Sequence, residues 1–235
     1  MDAAQTNNSA LPDNLLGDRA AVSTERSRVQ ATKEALLQSA TQVFAELGYH
    51  AASLRDLARH AKVNQALTNY HFGSKEGLYL AVFAAMGQQM LGSVSDVLVT
   101  ALPDNREEAL KQLLLMTDRL VRLMAHEECQ AWSQLILREQ QAPTVAFDVM
   151  YEGVMTHLLT RLEALVKLAR SPDDPSDSKL QVAFVLGQAL VFRASRAGVM
   201  RFNGWDQIDA TIIAGIQQQL RRNLTLMMGH IPEEQ

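Results

Sequence analysis

Residues 53–78 read Ser53-Leu54-Arg55-Asp56-Leu57-Ala58-Arg59-His60-Ala61-Lys62-Val63-Asn64-Gln65-Ala66-Leu67-Thr68-Asn69-Tyr70-His71-Phe72-Gly73-Ser74-Lys75-Glu76-Gly77-Leu78. Ser53 can cap a helix, and Asp56 can reach back to the Ser53 N–H as in a capping box. Leu54, Leu57, Ala58 and Ala61 share one face of that short helix. After a turn at Ala61-Lys62-Val63, Asn64 can cap a second short helix. Gly73-Ser74 then breaks the chain, and a long helix starts at Lys75. Two short helices joined by a tight turn predict a helix-turn-helix whose second helix, residues 64–71, is sized for the major groove.

Upstream, Leu36, Leu37, Ala40, Val43, Phe44 and Leu47 recur at helical spacing and predict a bracing helix. Gly48 ends it, where a left-handed residue carries no Cβ penalty. Residues 1–26 have no apolar period and read as a flexible arm. Its Arg19, Arg26 and the adjacent Arg28 read as solvated rather than as minor-groove contacts. Downstream, helices are expected over 75–98, 107–124 and 126–140, from Pro143 to Ala169, and over 179–197 and 206–228, with a loop at 171–178. The fold class is therefore all-α. The expected units are the arm, a DNA-binding three-helix domain over 27–74, and a larger effector-binding and dimerisation domain over 75–235.

Composition excludes several alternatives. One cysteine among 235 residues leaves no disulfide scaffold and no multi-cysteine zinc site. It suits a reducing cytoplasm. No apolar run reaches membrane-span length, and the start of the chain carries aspartates but no Lys or Arg before Arg19, unlike a secretory signal. The net charge of −4 hides an asymmetry: residues 19–75 carry +4, between −3 before them and −5 after them. A basic segment on an acidic body is what a protein with one phosphate-facing end shows. No Gly-rich phosphate loop, nucleophile motif or HExxH is present, and no carboxylates are paired in an apolar setting, so neither an enzyme nor a cofactor is expected. The His126/Cys129 pair and Asp173-Asp174 read as surface and capping residues rather than metal ligands.

Gln and Asn on the second helix can pair with an adenine edge, and Thr or Tyr can reach a phosphate or a thymine methyl. Ser53 and Lys75 stand at helix N-termini, where an anion is favoured. These residues carry a family resemblance. Phe44-Ala45-Glu46-Leu47-Gly48-Tyr49, Ser53-Leu54-Arg55-Asp56-Leu57-Ala58 and Asn69-Tyr70-His71-Phe72-Gly73-Ser74-Lys75-Glu76-Gly77-Leu78 closely resemble the DNA-binding domain of TetR-family transcriptional regulators, over residues 28–80. The resemblance implies an all-α homodimer that binds an operator palindrome and releases it when a small effector fills the larger domain. It places Gln65, Asn69, Tyr70 and His71 in the major groove and Ser53, Thr68, Tyr70 and Lys75 on phosphates; Arg55 joins them as a DNA-binding candidate. Asn69 stands where the family often has Tyr, and Thr68 where it often has Leu, so base preference does not carry over.

A patchier likeness covers residues 110–228. Arg138-Glu139-Gln140, Ala142-Pro143-Thr144, Ala146-Phe147, Leu186-Gly187-Gln188, Phe192-Arg193, Arg201 and Gly204-Trp205 look like the C-terminal domain of the CerR-like subgroup. On the central helices, Trp132, Met155, His157, Phe184, Phe192 and Arg193 are candidates for contact with a largely apolar effector. In the last helix, Ile208, Ile212, Ile216, Leu220, Leu224 and Met228 form a ridge at a spacing of four. Part of that ridge is expected to serve the core and part a second subunit. Ala183, Gly187, Ala194 and Gly198 allow a neighbour to approach closely, so a homodimer is expected through 179–197 and 206–228. The expected function is thus a sequence-specific repressor on a palindromic operator, released by a small-molecule effector. The alternative is a helical adaptor or small-molecule-binding protein without catalysis, which would need neither Lys75 nor the polar face of residues 64–71.

Overall fold

The computed structural model describes residues 14–125 and 130–229, and among them every regular element is helical. The elements are α1 (Asn14–Ala51), α2 (Leu54–His60), α3 (Gln65–Phe72), α4 (Lys75–Val99), α5 (Arg106–Ala125) and α6 (Gln130–Gln141). There follow α7 (Val145–Met150), a π-helical turn (Tyr151–Met155), α8 (Thr156–Ala169), α9 (Ser178–Ala194), α10 (Arg196–Asn203) and α11 (Ala210–Met227). No single helix among the described residues is long and apolar enough to cross a membrane.

Three expectations are corrected. The bracing helix begins at Asn14, so residues 14–26 of the expected arm are helical; residues 1–13 lie outside the described residues, as do His126 to Cys129. The helix expected from Pro143 to Ala169 is interrupted by the π turn, where Thr156 Oγ1 donates to the Tyr151 carbonyl at 2.9 Å. The helix expected over 179–197 ends at Ala194, and Gly198 lies in a separate short helix, α10.

Three apolar clusters hold the bundle. The first takes Phe44 from α1, Leu57 from α2, Leu78, Phe83 and Met86 from α4, Leu135 from α6 and Met150 from α7. This core runs without a break from the helix-turn-helix into the larger body. The second joins Leu113 and Met116 of α5 to Leu162, Leu165 and Val166 of α8 and Val182 of α9. The third joins Leu120 and Val121 of α5 to Val185 and Ala189 of α9 and Ile216, Leu220 and Leu224 of α11. Each such side chain contributes roughly 1.5–3 kcal/mol on burial.

The ridge on α11 is spent inside its own chain. Ile216, Leu220, Leu224 and Met228 are buried, and Ile208 and Ile212 pack half-buried on the third cluster. The outward face is a different one: Ala214, Gly215, Gln218, Arg222 and Leu226 of α11 are exposed. Beside them α9 leaves Leu180, Ala183, Phe184, Gly187, Leu190, Val191 and Ala194 exposed, with Phe184 66% exposed. Arg106, at the start of α5, closes the far end. Its Nε donates to the Ala169 carbonyl at 2.8 Å, and its Nη2 donates to the Met228 and Gly229 carbonyls at 2.6 and 3.1 Å.

Candidate nucleic-acid interface

The amino ends of the short helices are fixed by local chemistry. Ser53 Oγ accepts from the Asp56 N–H at 3.1 Å and donates to Asp56 Oδ2 at 2.5 Å. Arg59 Nη2 donates to Asp56 Oδ1 at 2.5 Å. The Ser53 hydroxyl first, and the Arg59 charge after it, hold the Asp56 carboxyl below its ordinary range. Ser39 Oγ on α1 donates to the Leu57 carbonyl at 3.1 Å and lies 2.9 Å from His60 Nδ1, which ties α2 to the bracing helix. Lys62 turns the chain between α2 and α3 with φ at 57°. Asn64 Oδ1 then accepts from the Ala66 N–H at 2.9 Å.

These constraints turn α3 outward. Gln65, Ala66, Leu67, Asn69 and Tyr70 are exposed, and His71 is half-buried with its ring 5.2 Å from that of Tyr70. Tyr70 is 79% exposed, with the His71 ring edge-on to its own. Gln65 and Asn69 lie at i and i+4, on one side of the helix. Ser53 and Arg55 are exposed. Thr68 departs from expectation. It is fully buried, the one buried residue of α3, so its side chain packs the helix onto its neighbours instead of facing a phosphate.

Lys75 has a second attachment that the sequence did not show. Its Nζ donates to the His50 carbonyl at 3.2 Å and lies 4.6 Å from the centre of the Tyr49 ring, a cation–π contact. The cap of α4 is Ser74, whose Oγ accepts from the Gly77 N–H at 2.9 Å. Arg138 and Glu139, noted in the sequence for their resemblance alone, join the motif to the body. Arg138 Nη2 donates to the Ala45 carbonyl at 3.1 Å, and this approach needs Gly48, whose φ of 79° bends α1 and whose missing Cβ makes room for the guanidinium. Buried Glu139 accepts from Tyr79 Oη at 2.9 Å and from the Thr144 N–H and hydroxyl at 2.9 and 2.8 Å.

The six effector candidates are not brought together. Trp132 and Met155 are half-buried on the first cluster, and Phe192 is half-buried on the third. His157 is exposed, Phe184 faces outward, and Arg193 is half-buried on α9. The interior gap in the body lies elsewhere, among Met90 and Val94 of α4, Met116 and Leu120 of α5, Val154 of the π turn and Leu158 and Leu162 of α8. Its volume is about 20 Å³, room for one water. Sequence reading missed it because these residues look like ordinary core at helical spacing.

An all-helical chain with a capped, outward-turned second helix in a helix-turn-helix is a DNA-binding transcription regulator in architecture. Residues 36–82 match the family model described as bacterial regulatory proteins of the tetR family. Residues 107–231 match the C-terminal domain of the HTH-type transcriptional dual regulator CecR, which corrects the name of the CerR-like subgroup that residues 110–228 resemble. The chain belongs to the TetR family of transcriptional regulators, with a C-terminal domain of the CecR type. It is 28% identical over 207 residues to the CecR dual regulator of Shigella flexneri, covering 85% of this chain and 92% of that one. The fold is shared with FadR of Bacillus subtilis in complex with stearoyl-CoA, at 18% identity, TM-score 0.60, and 85% and 99% coverage. It is shared also with AibR in complex with isovaleryl coenzyme A and operator DNA, at 15% identity, TM-score 0.61, and 85% and 100% coverage.

Proposed function

We propose that this regulator binds a palindromic operator as a homodimer, acts as a repressor, and is released by a small molecule taken up in residues 75–235. The observation that carries the reading is the outward polar face of α3, with Tyr70 79% exposed on it. Gln65 and Asn69 read base edges, while Tyr70, with His71 at its side, bridges groove and backbone. Ser53, Arg55 and Lys75 hold phosphates, and Thr68 keeps its interior role. AibR supports the pairing of functions, being a protein of this fold that holds an organic ligand and operator DNA in one complex.

The homodimer is supported by the outward apolar face of α9 and its small residues Ala183, Gly187 and Ala194, which let a twin helix approach. A two-fold axis there sets two α3 helices about one DNA turn apart, about 34–36 Å. α4 runs from the DNA-binding unit into the body. An effector that favours a body with α4 displaced favours wrongly spaced α3 helices, with a coupling of about 1–3 kcal/mol.

Fluorescence anisotropy on DNA from upstream of the chain's own gene, across a salt series, tests the reading. The expected result is specific binding about a thousandfold or more above random duplex, with a slope of about −0.9 per phosphate engaged. Equal affinity for both duplexes at every salt concentration overturns sequence-specific recognition.

A further inference from the structure

Besides the interior gap, α8 and α4 flank an open groove of about 530 Å³ on the outer side of their contact. Its walls are Leu91, Ser95 and Leu98 of α4, Leu102 of the following loop, and His157 and Arg161 of α8. The volume is that of a small-molecule site. Arg161 is the feature that packing does not explain. Its Nη2 donates to the Gln112 side chain at 2.7 Å and to the Ala101 carbonyl at 3.3 Å, both neutral acceptors. Its buried Nε has no hydrogen-bond partner, and no carboxylate pairs with it among the described residues. Half-buried and without a counter-charge among the described residues, this guanidinium is placed to give an anion a charge-assisted hydrogen bond.

The groove and the gap are neighbours through the same two helices. Leu91 and Ser95 on the outside alternate along α4 with Met90 and Val94 on the inside, and His157 and Arg161 alternate along α8 with Leu158 and Leu162. We propose that the groove binds an aliphatic carboxylate, its head on Arg161 with His157 beside it and its chain along Leu91, Leu98 and Leu102, pressing between α4 and α8 toward the interior gap. The inference rests on the effector-release reading for its consequence but not for its binding event. A chain that parts α8 from α4 acts on the helix that carries the DNA-binding unit. Because Arg161 also holds Gln112 of α5 and the Ala101 carbonyl, the head group fixes the linker between α4 and α5 at the same time.

Calorimetric titration of the full chain without DNA, using octanoate and octan-1-ol, tests the site. Octanoate should bind about tenfold to a hundredfold more tightly than the alcohol, as expected for a charge-assisted hydrogen bond. Arg161→Gln should bring octanoate to the level of octan-1-ol and leave octan-1-ol unchanged, while Arg161→Lys keeps part of the preference. Ser95→Glu, an exposed position on the groove, supplies the missing carboxylate internally and should also abolish the preference, which keeps the test available if Arg161→Gln does not fold. Equal affinity for the two compounds, no heat with either, or full octanoate binding by a folded Arg161→Gln overturns the proposal. The same titrant added to the operator complex separates the two readings. Binding at Arg161 without operator release leaves the site standing and removes the effector mechanism.

Discussion

Glu139 is buried with three donors on its two carboxylate oxygens, and they arrive from α4 and from the turn before α7. Burial first, and then the adjacent Glu139, raises the Tyr79 phenol above its ordinary value of 10.0. The folded chain therefore keeps a proton that the unfolded chain releases. That contribution is complete below pH 10 and is lost as pH rises above it. Difference absorbance at 295 nm should show a tyrosine that ionises only well above pH 10, and Tyr79→Phe should remove that late step. The same substitution leaves a buried carboxylate short of a donor and should cost about 1–3 kcal/mol in urea unfolding. None of this was legible in the sequence, because Tyr79 and Glu139 are 60 residues apart. The Ser53–Asp56 cap was legible, since both partners sit within one turn and the spacing alone fixes their geometry.

Among the elements, α3 divides by face. Asn69→Ala removes an exposed side chain and should relax preference at one base pair in each half-site, costing about 1–3 kcal/mol on the best sequence and little on random DNA. Anisotropy on a panel of single-base operator variants measures it, and equal loss on every duplex would assign Asn69 to the backbone instead. Lys75→Ala should weaken all sequences alike and lower the salt slope by about one per site. It should also lower thermal stability, since Nζ is bonded to the His50 carbonyl and rests on Tyr49. The Asn64 cap and the Gly73-Ser74 break that announced α3 could not say that Thr68 is its buried residue, because Leu67 is the more apolar of the two and is exposed. At the π turn, Val154 leans on Gly87 of α4, and a Cβ at position 87 would meet Val154 Cγ2 at 2.7 Å. Valine is stiff at χ1, so Gly87→Ala should cost about 1–3 kcal/mol by overpacking, read as a lower denaturation midpoint with an unchanged slope. The extra residue of the π turn left no trace in the apolar period, which is why one continuous helix was expected there.

For the whole molecule, helix order was readable because capping residues, glycines and prolines punctuate a strongly periodic chain, although the π turn and the separate α10 divide stretches that read as single helices. Which faces meet was not. The four-spaced ridge on α11 is turned inward, and the exposed apolar surface belongs to α9. Phe184→Glu on that surface alters no described core and should leave the helical content and melting point of the protomer near the wild-type values. Light scattering should report the protomer mass in place of twice that mass, and operator affinity should fall by at least a hundredfold as the second half-site contact is lost. A dimer that survives Phe184→Glu moves the interface elsewhere. The clasp made by Arg106 gathers the Ala169 carbonyl that ends α8 and the Met228 and Gly229 carbonyls just past α11 at the first turn of α5, joining two helix ends far apart in sequence. Helix ends ordinarily fray, and their amides exchange with solvent within the shortest labelling times. Here the amides of Leu224 to Met228 should exchange as slowly as those of mid-helix, and Arg106→Ala should release them together with the end of α8, so that two separate segments of the exchange map brighten as one.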